Sequence, residues 1–221
     1  MTSNHYQAAI RNLVDLLLRN DAAITGNPVT EMRIGSRTRI TWLRSSASVG
    51  PACDNDFGSI DEYCVALQQR AYNVMLCDGS LLQLSFDLRG HDLVGHRLCW
   101  LPCPYRLEQE ELREFDPLDI MLMYENSGRK YLRLRSPLRF DYDPESVRIN
   151  HPSVHLHVNS DECRCAVVAP ISLGHFIRFV FQHFYPLLWG RLEFLREWPR
   201  VLETRTITTE EESGLHIACR R

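Results

Sequence analysis

Lysine is almost missing from this chain: Lys130 is the only one, so 24 of the 25 basic residues are arginine. That scarcity excludes a P-loop, whose Gly-Lys-Ser/Thr must reach the phosphates, and a Schiff-base enzyme, which needs a buried amine. A nuclease core that sets a lysine beside acidic metal ligands is poorly served too, because Lys130 stands in Asn-Ser-Gly-Arg-Lys-Tyr with no acid two residues before it. The arginine bias is compatible with genome composition alone. Long apolar runs are also lacking. The stretches around Leu13–Leu18 and Phe176–Trp189 are broken by polar residues or proline well short of the roughly 18 residues that a membrane span requires. Met-Thr-Ser-Asn-His-Tyr at the start has no basic region, apolar core and small-residue cleavage site, so no export signal is read there and a cytoplasmic location without membrane association is expected.

A strong net charge is absent as well. At −3 and a pI near 6.3, nothing pulls the whole chain toward nucleic acid or anionic lipid, although a local basic groove stays open. The eight cysteines (Cys53, Cys64, Cys77, Cys99, Cys103, Cys163, Cys165, Cys219) lack the paired spacing of a zinc ribbon, and a chain of 221 residues needs no disulfides to hold a core. Free thiols are expected. There is no Gly-x-Ser-x-Gly elbow, no His-Glu-x-x-His and no complete glycine-rich dinucleotide fingerprint.

What is present reads as one α+β domain over residues 1–221, a mostly antiparallel sheet with helices packed on one face. Residues 1–20 place Tyr6, Ile10, Leu13, Val14 and Leu17 at helical spacing, an amphipathic opening helix. Residues 21–60 read as loops with an irregular strand or two, Thr38–Leu43 being the candidate. A hairpin-rich sheet follows over 60–170. Tyr72–Leu76 and Leu81–Leu88 flank Asp78-Gly79, the chemistry of a tight turn with positive φ. Residues 91–104 end in two prolines and so are expected to form an edge strand. Asp116-Pro117 caps a short helix through Tyr124. Ser136–Asp143 alternates, as does His151–Cys165, whose two strands join at Ser160 and Asp161. Residues 171–200 supply the C-terminal helices: Leu173–Tyr185 is launched by Pro170 and Ser172, Pro186 interrupts, and Leu187–Trp198 follows.

The chemistry concentrates in His151-Pro-Ser-Val-His155-Leu-His157-Val-Asn159. On a strand, side chains two apart leave the same side about 7 Å from each other, close enough for two imidazoles to meet one phosphate or one metal ion. Pairing across Ser160-Asp161 puts Val154, Leu156 and Val158 on a core face with Cys163, Cys165 and Val167. His155, His157 and Asn159 fall on the other face with Glu162 and Arg164. Three readings stay open: histidines satisfied structurally, an acid–base pair acting on a phosphodiester, and a metal site. The His155-x-His157-x₄-Glu162 spacing resembles the first metal motif of cupins, but its flanking glycines are absent and no later His-bearing strand completes it. His155, His157 and Arg139 are the candidate catalytic residues, with His151, Asn159, Arg164, Gln83 and Asp87 binding substrate. No metal or other cofactor is assigned, the alternative being a divalent metal at His155 and His157. Tyr72 and Asp141 would border the same face if their strands share the sheet. The loop Gly90–His96 reads as a surface turn.

Taken as a series, Tyr72…Asp78-Gly79-Ser80…Gln83, Ser136-Pro137-Leu138-Arg139-Phe140-Asp141, His151-Pro152…His155-Leu156-His157-Val158-Asn159 and Pro170-Ile171-Ser172…Phe176-Ile177…Phe184-Tyr185 resemble a bacterial domain-of-unknown-function family over roughly residues 60–190. The resemblance implies a bacterial origin and a single domain, and brings no reaction with it. In layout alone, the order of Asp-Gly hairpin, arginine strand and histidine strand is similar to small toxins of toxin–antitoxin pairs. The expectation is therefore a cytoplasmic protein of toxin or phage-defence type that binds, and cleaves, a nucleic acid or nucleotide through the histidine face. Its rival is a non-catalytic interaction subunit of a multi-protein complex that docks a protein partner through Phe176–Trp189. The sequence leaves open whether the chain is an enzyme.

Overall fold

The computed structural model describes residues 2–42 and 58–218; Leu43, Cys53 and Cys219 fall outside them. The chain opens with α1 (Ser3–Arg19), which buries the expected stripe of Tyr6, Ile10, Leu13, Val14 and Leu17. Three strands follow, β1 (Ala23–Gly26), β2 (Val29–Ile34) and β3 (Arg37–Trp42), where the sequence suggested one or two. Next come α2 (Ile60–Gln68), β4 (Val74–Leu76), β5 (Leu81–Arg89) and β6 (Asp92–Leu101). The β4–β5 turn carries Gly79 at φ +83°, a conformation that a side chain would strain. Then α3 (Gln109–Glu114) leads to α4 (Pro117–Glu125), whose first turn is capped by the Asp116 carboxylate accepting from the Leu118 N–H.

Strands β7 (Leu138–Tyr142), β8 (Val154–Val158) and β9 (Arg164–Val167) precede α5 (Leu173–Phe184), α6 (Pro186–Arg191) and α7 (Glu193–Glu197). Proline at 186 starts a new helix because it has no N–H to continue the old one. A short α8 (Thr209–Ser213) and β10 (His216–Ile217) complete the described chain. Its six cysteines there, Cys64, Cys77, Cys99, Cys103, Cys163 and Cys165, are all free. No helix among the described residues is long and apolar enough to cross a membrane.

All the strands join one sheet in the order β1-β4-β5-β6-β7-β8-β9-β10, with β3 pairing β5 beside β4 and β2 pairing β3. Every pair is antiparallel except β9 with β10. The α+β, mostly antiparallel expectation is met. One correction concerns β6: it lies between β5 and β7, not at an edge. Pro102 and Pro104 sit just past its last residue, so they end the strand without removing a ladder hydrogen bond from its middle.

The helices divide between the two faces, where one covered face was expected. On one side α1 and α5 pack on Leu82, Leu84, Phe86, Leu98, Phe140 and Leu156. On the other, α2, α3 and α4 cover only one end, where Leu81, Cys99 and Leu101 meet Tyr63, Leu112 and Met121. The rest of that second face is left open. Phe176, Ile177, Val180 and Phe181 of α5 are buried in the first core, so most of the aromatic surface considered for a partner is spent within the chain. Leu187 remains exposed.

The junction of turn, sheet and helix is held by a short relay. The Trp100 Nε1–H donates to the Tyr185 hydroxyl at 3.0 Å, which donates to the Asp78 carboxylate at 3.0 Å, and Arg135 pairs with the same carboxylate at 2.7 Å. Replacing Tyr185 with Phe leaves a buried indole N–H without its acceptor. We expect a loss of about 1–3 kcal/mol, read as a lower urea midpoint at unchanged m-value.

A second prediction comes from His96, buried between Phe86 and Tyr142. Its Nε2 accepts the Ile171 N–H at 2.9 Å, and burial pushes its pKa down from 6.5 to about 4. Protonation would place two donors face to face. A histidine whose folded pKa is depressed binds its proton more readily when unfolded, so stability falls as pH drops from about 6.5 toward 4. On the order of 2 kcal/mol should disappear between about pH 7 and about pH 5. His96→Gln keeps an acceptor near the Nε2 position without titrating, and its stability should change less over this range; an identical slope in both proteins would refute the assignment.

Candidate functional site

The open half of the second face is built from two cross-strand rows. Register aligns Ser85 with Arg97, Arg97 with Asp141, Asp141 with His155, and His155 with Ala166. The next row runs Gln83, Cys99, Arg139, His157 and Arg164. Because strand residues two apart share a face, both rows point the same way. The pairing of His157 with Arg164 is the register inferred from parity across Ser160-Asp161. Val154 and Leu156 are buried against the first core, as expected, and the histidines lie opposite them. They are not solvated: His155 and His157 are each 1% exposed.

These rows floor a polar recess of about 490 Å³, lined by His151, His155, His157, Arg139, Arg164 and Asp87 among others. Those six are residues the sequence singled out. Two further candidates lie elsewhere. Gln83 belongs to the right row but at its covered end, where its Nε2 donates to the Ala71 carbonyl at 2.6 Å. Asn159 leaves the strand at φ +60°, in the turn, and lies beside Gly58 and Pro137 in a separate depression. Tyr72 is buried under α2. Of Gly90–His96, expected as a surface turn, the residues from Asp92 on belong to β6, and Val94, Gly95 and His96 line the recess. Glu162, third in the cupin-like spacing, sits exposed in the β8–β9 turn.

Asp141 is the centre of the arrangement. Arg139 Nε donates to its Oδ2 at 2.9 Å, His157 Nε2 stands 3.4 Å from the same oxygen, and Arg97 Nε lies 3.4 Å from Oδ1 without a hydrogen bond formed there. Burial by itself would raise this carboxyl; the His157 hydrogen bond and the two guanidinium groups overcome it and hold it well below the usual range. Arg139 also reaches Asp161 at 2.7 Å. Across the recess Arg39 grips Asp87 with two hydrogen bonds of 2.6 and 2.7 Å, and Gly95, opposite Asp87, puts no side chain in the way. Arg37 pairs with Glu145. Arg164 keeps a buried Nε with no hydrogen-bond partner.

The histidines have fixed orientations. His155 Nδ1 lies 2.7 Å from the Pro152 carbonyl, which can only accept. Burial pushes the His155 pKa down from 6.5 to about 4, so at neutral pH the ring is uncharged. Its one proton is therefore on Nδ1, and Nε2 keeps a lone pair. His157 Nδ1 similarly faces the Ser160 carbonyl at 3.4 Å. The rings of His151, His155 and His157 meet edge to face in a line, with centroids 4.7 and 4.6 Å apart. Burial also lowers the His151 pKa, helped by Arg164 and Arg148.

Sequence reasoning set Asp141 only at the border and missed Asp161, Arg39 and Arg97. The parity of Arg139 and Asp141 in β7 was the available signal for Asp141. For Arg39 and Arg97 none was available, since β3 and β6 had no assigned neighbours.

No curated protein and no solved structure matches the chain. The model of an uncharacterised conserved protein family matches residues 23–219, a longer span than the motifs alone indicated. With nearly the whole length matched, the chain belongs to the DUF2290 family of uncharacterised conserved proteins.

Proposed function

We propose that the recess binds and hydrolyses a phosphate ester of a nucleotide or nucleic acid. The observation that carries this reading is the convergence of His155, His157, Arg139 and Arg164 on one polar hollow of about 490 Å³. A guanidinium with a buried, unpartnered Nε, such as Arg164, gains most from an anion that supplies the missing acceptor. Arg139 and Arg97 are partly neutralised by Asp141 and Asp161, so attraction for a phosphate is local and does not need a basic chain.

Hydrolysis would join a water oxygen to phosphorus and break the ester P–O bond, with the water's proton passing to the departing oxygen. His155, neutral with its Nε2 lone pair free of its backbone contact, is suited to holding that water. A simple pair of histidines both titrating near neutrality is disfavoured by the low His155 pKa of about 4. A toxin or phage-defence role is the biological setting proposed for such an activity.

The test offers RNA, single- and double-stranded DNA and nucleoside phosphates to the purified chain in buffer containing divalent ions. We expect salt-sensitive binding and turnover. His155→Asn with His157→Asn, which keeps a donor near each backbone carbonyl, should lower turnover by at least about 100-fold while circular dichroism stays native. Arg164→Ala should chiefly raise KM. Neither binding nor turnover with any of these substrates would overturn the reading.

A further inference from the structure

We propose that Asp141, His155 and His157 form a binding site for one divalent transition-metal ion whose remaining coordination positions face the recess. Each of the three residues offers a ligand atom, and those atoms lie within 4.8 Å of one another, so that small side-chain movements would bring them to the separations of at most about 4.4 Å that bonds of about 2.0–2.2 Å to one ion allow. Ion binding stands on this geometry alone; only its use in catalysis rests on the hydrolytic reading above.

The orientation of the imidazoles is the strongest argument. Metal-bound histidines usually donate their second N–H to a carbonyl or carboxylate, which fixes the ring and the tautomer. Both rings have that partner here: Pro152 O stands 2.7 Å from Nδ1 of His155, and Ser160 O stands 3.4 Å from Nδ1 of His157. The Nε2 of His155 is thereby left for a ligand, and the Nε2 of His157 faces Asp141 Oδ2 at 3.4 Å, a contact that an ion held between the two would replace. Two neighbouring histidines on a strand, each turned onto a carbonyl three residues away on opposite sides, are hard to account for as core filling.

The carboxylate fits the same pattern. Asp141 is oriented by Arg139 through Oδ2, while its buried Oδ1 makes no hydrogen bond. Arg139 and Arg97 oppose an incoming cation, but Arg139 is shared with Asp161, which removes part of that repulsion. Two nitrogens and one oxygen, with no thiolate among the residues lining the recess, suit zinc, manganese or iron(II) more than calcium or magnesium. Three protein ligands leave positions for water and substrate, as a catalytic site needs and a structural one does not. A water held there would ionise near neutrality.

The experiment titrates the full chain, stripped with chelator, with Co²⁺ and follows the visible absorption of the ion. One equivalent should bind, Zn²⁺ should displace it, and saturating Zn²⁺ should raise the melting temperature. His155→Asn removes Nε2 while preserving a donor toward Pro152, and should weaken Co²⁺ binding by at least about 100-fold; His157→Asn is the second variant should the first fold poorly. Substoichiometric uptake by the wild type, or equal affinity in both variants, would overturn the proposal. Stoichiometric cobalt without phosphate-ester hydrolysis would uphold the metal site and remove the hydrolytic reading. Hydrolysis untouched by chelator, in a protein that binds no ion, would do the reverse.

Discussion

The polar face is organised by the need to neutralise one buried charge. Asp141 stands in the interior of a strand with neighbours on both sides, where an unpaired carboxylate would be severely destabilising. Its charge is met from three directions: by Arg139 two residues back on the same strand, by Arg97 directly opposite on β6, and by His157 diagonally on β8. All three depend on the register of β6, β7 and β8. A slip of one residue would turn the acid into the apolar core under α5 and bring Phe140 to the open face. Satisfying Arg139 then requires Asp161, which ties the β8–β9 turn to the sheet and seats His157 against Ser160.

A single strand serves two purposes on the same face. Along β5, alternate residues run Leu81, Gln83, Ser85, Asp87; along β6, in the reverse direction, Leu101, Cys99, Arg97. The apolar ends lie beneath α2, α3 and α4, and the polar ends line the recess. The helices on this face are therefore short and confined to one end. Extending that cover would close the recess over Arg97 and over the already buried Asp141, His155 and His157 and shut out a ligand, whereas removing it would expose Leu81 and Leu101. Gln83 marks the boundary: it is polar, yet its amide is committed to Ala71.

Local alternation made much of this visible in the sequence. The period of two in β5, β7 and β8, the Asp-Gly turn and the parity across Ser160-Asp161 gave the register and the faces of the paired residues, but Cys163, expected on the core face, lies exposed in the turn before β9. The placement of β6 was not legible, because the prolines closing 91–104 read as part of the strand, whereas Pro102 and Pro104 lie just beyond its last residue. The split of helices between faces was hidden for a related reason: Leu81 and Leu101 do not disclose which helix meets them. Asn159 was carried onto the face by extending alternation one residue too far, into a turn with positive φ. Strand order, a property of the whole chain, decided whether Asp141 stood beside His157 or merely near the same sheet.

The scarcity of lysine also acquires a meaning at the site that composition alone did not give it. Arg139 spans two carboxylates, sending Nε to Asp141 and Nη2 to Asp161, while Arg39 holds both oxygens of Asp87 through a parallel pair of bonds. A planar guanidinium has donors fixed at separated points and can do either. An ammonium is a compact point charge and cannot hold two partners in one plane at those positions. Genome composition can account for arginine across the chain, but these contacts make the guanidinium a geometric requirement at Arg139 and Arg39. Without that bridge, Asp161 would lose its hold on the sheet and Asp141 would keep its burial with less of the charge that permits it.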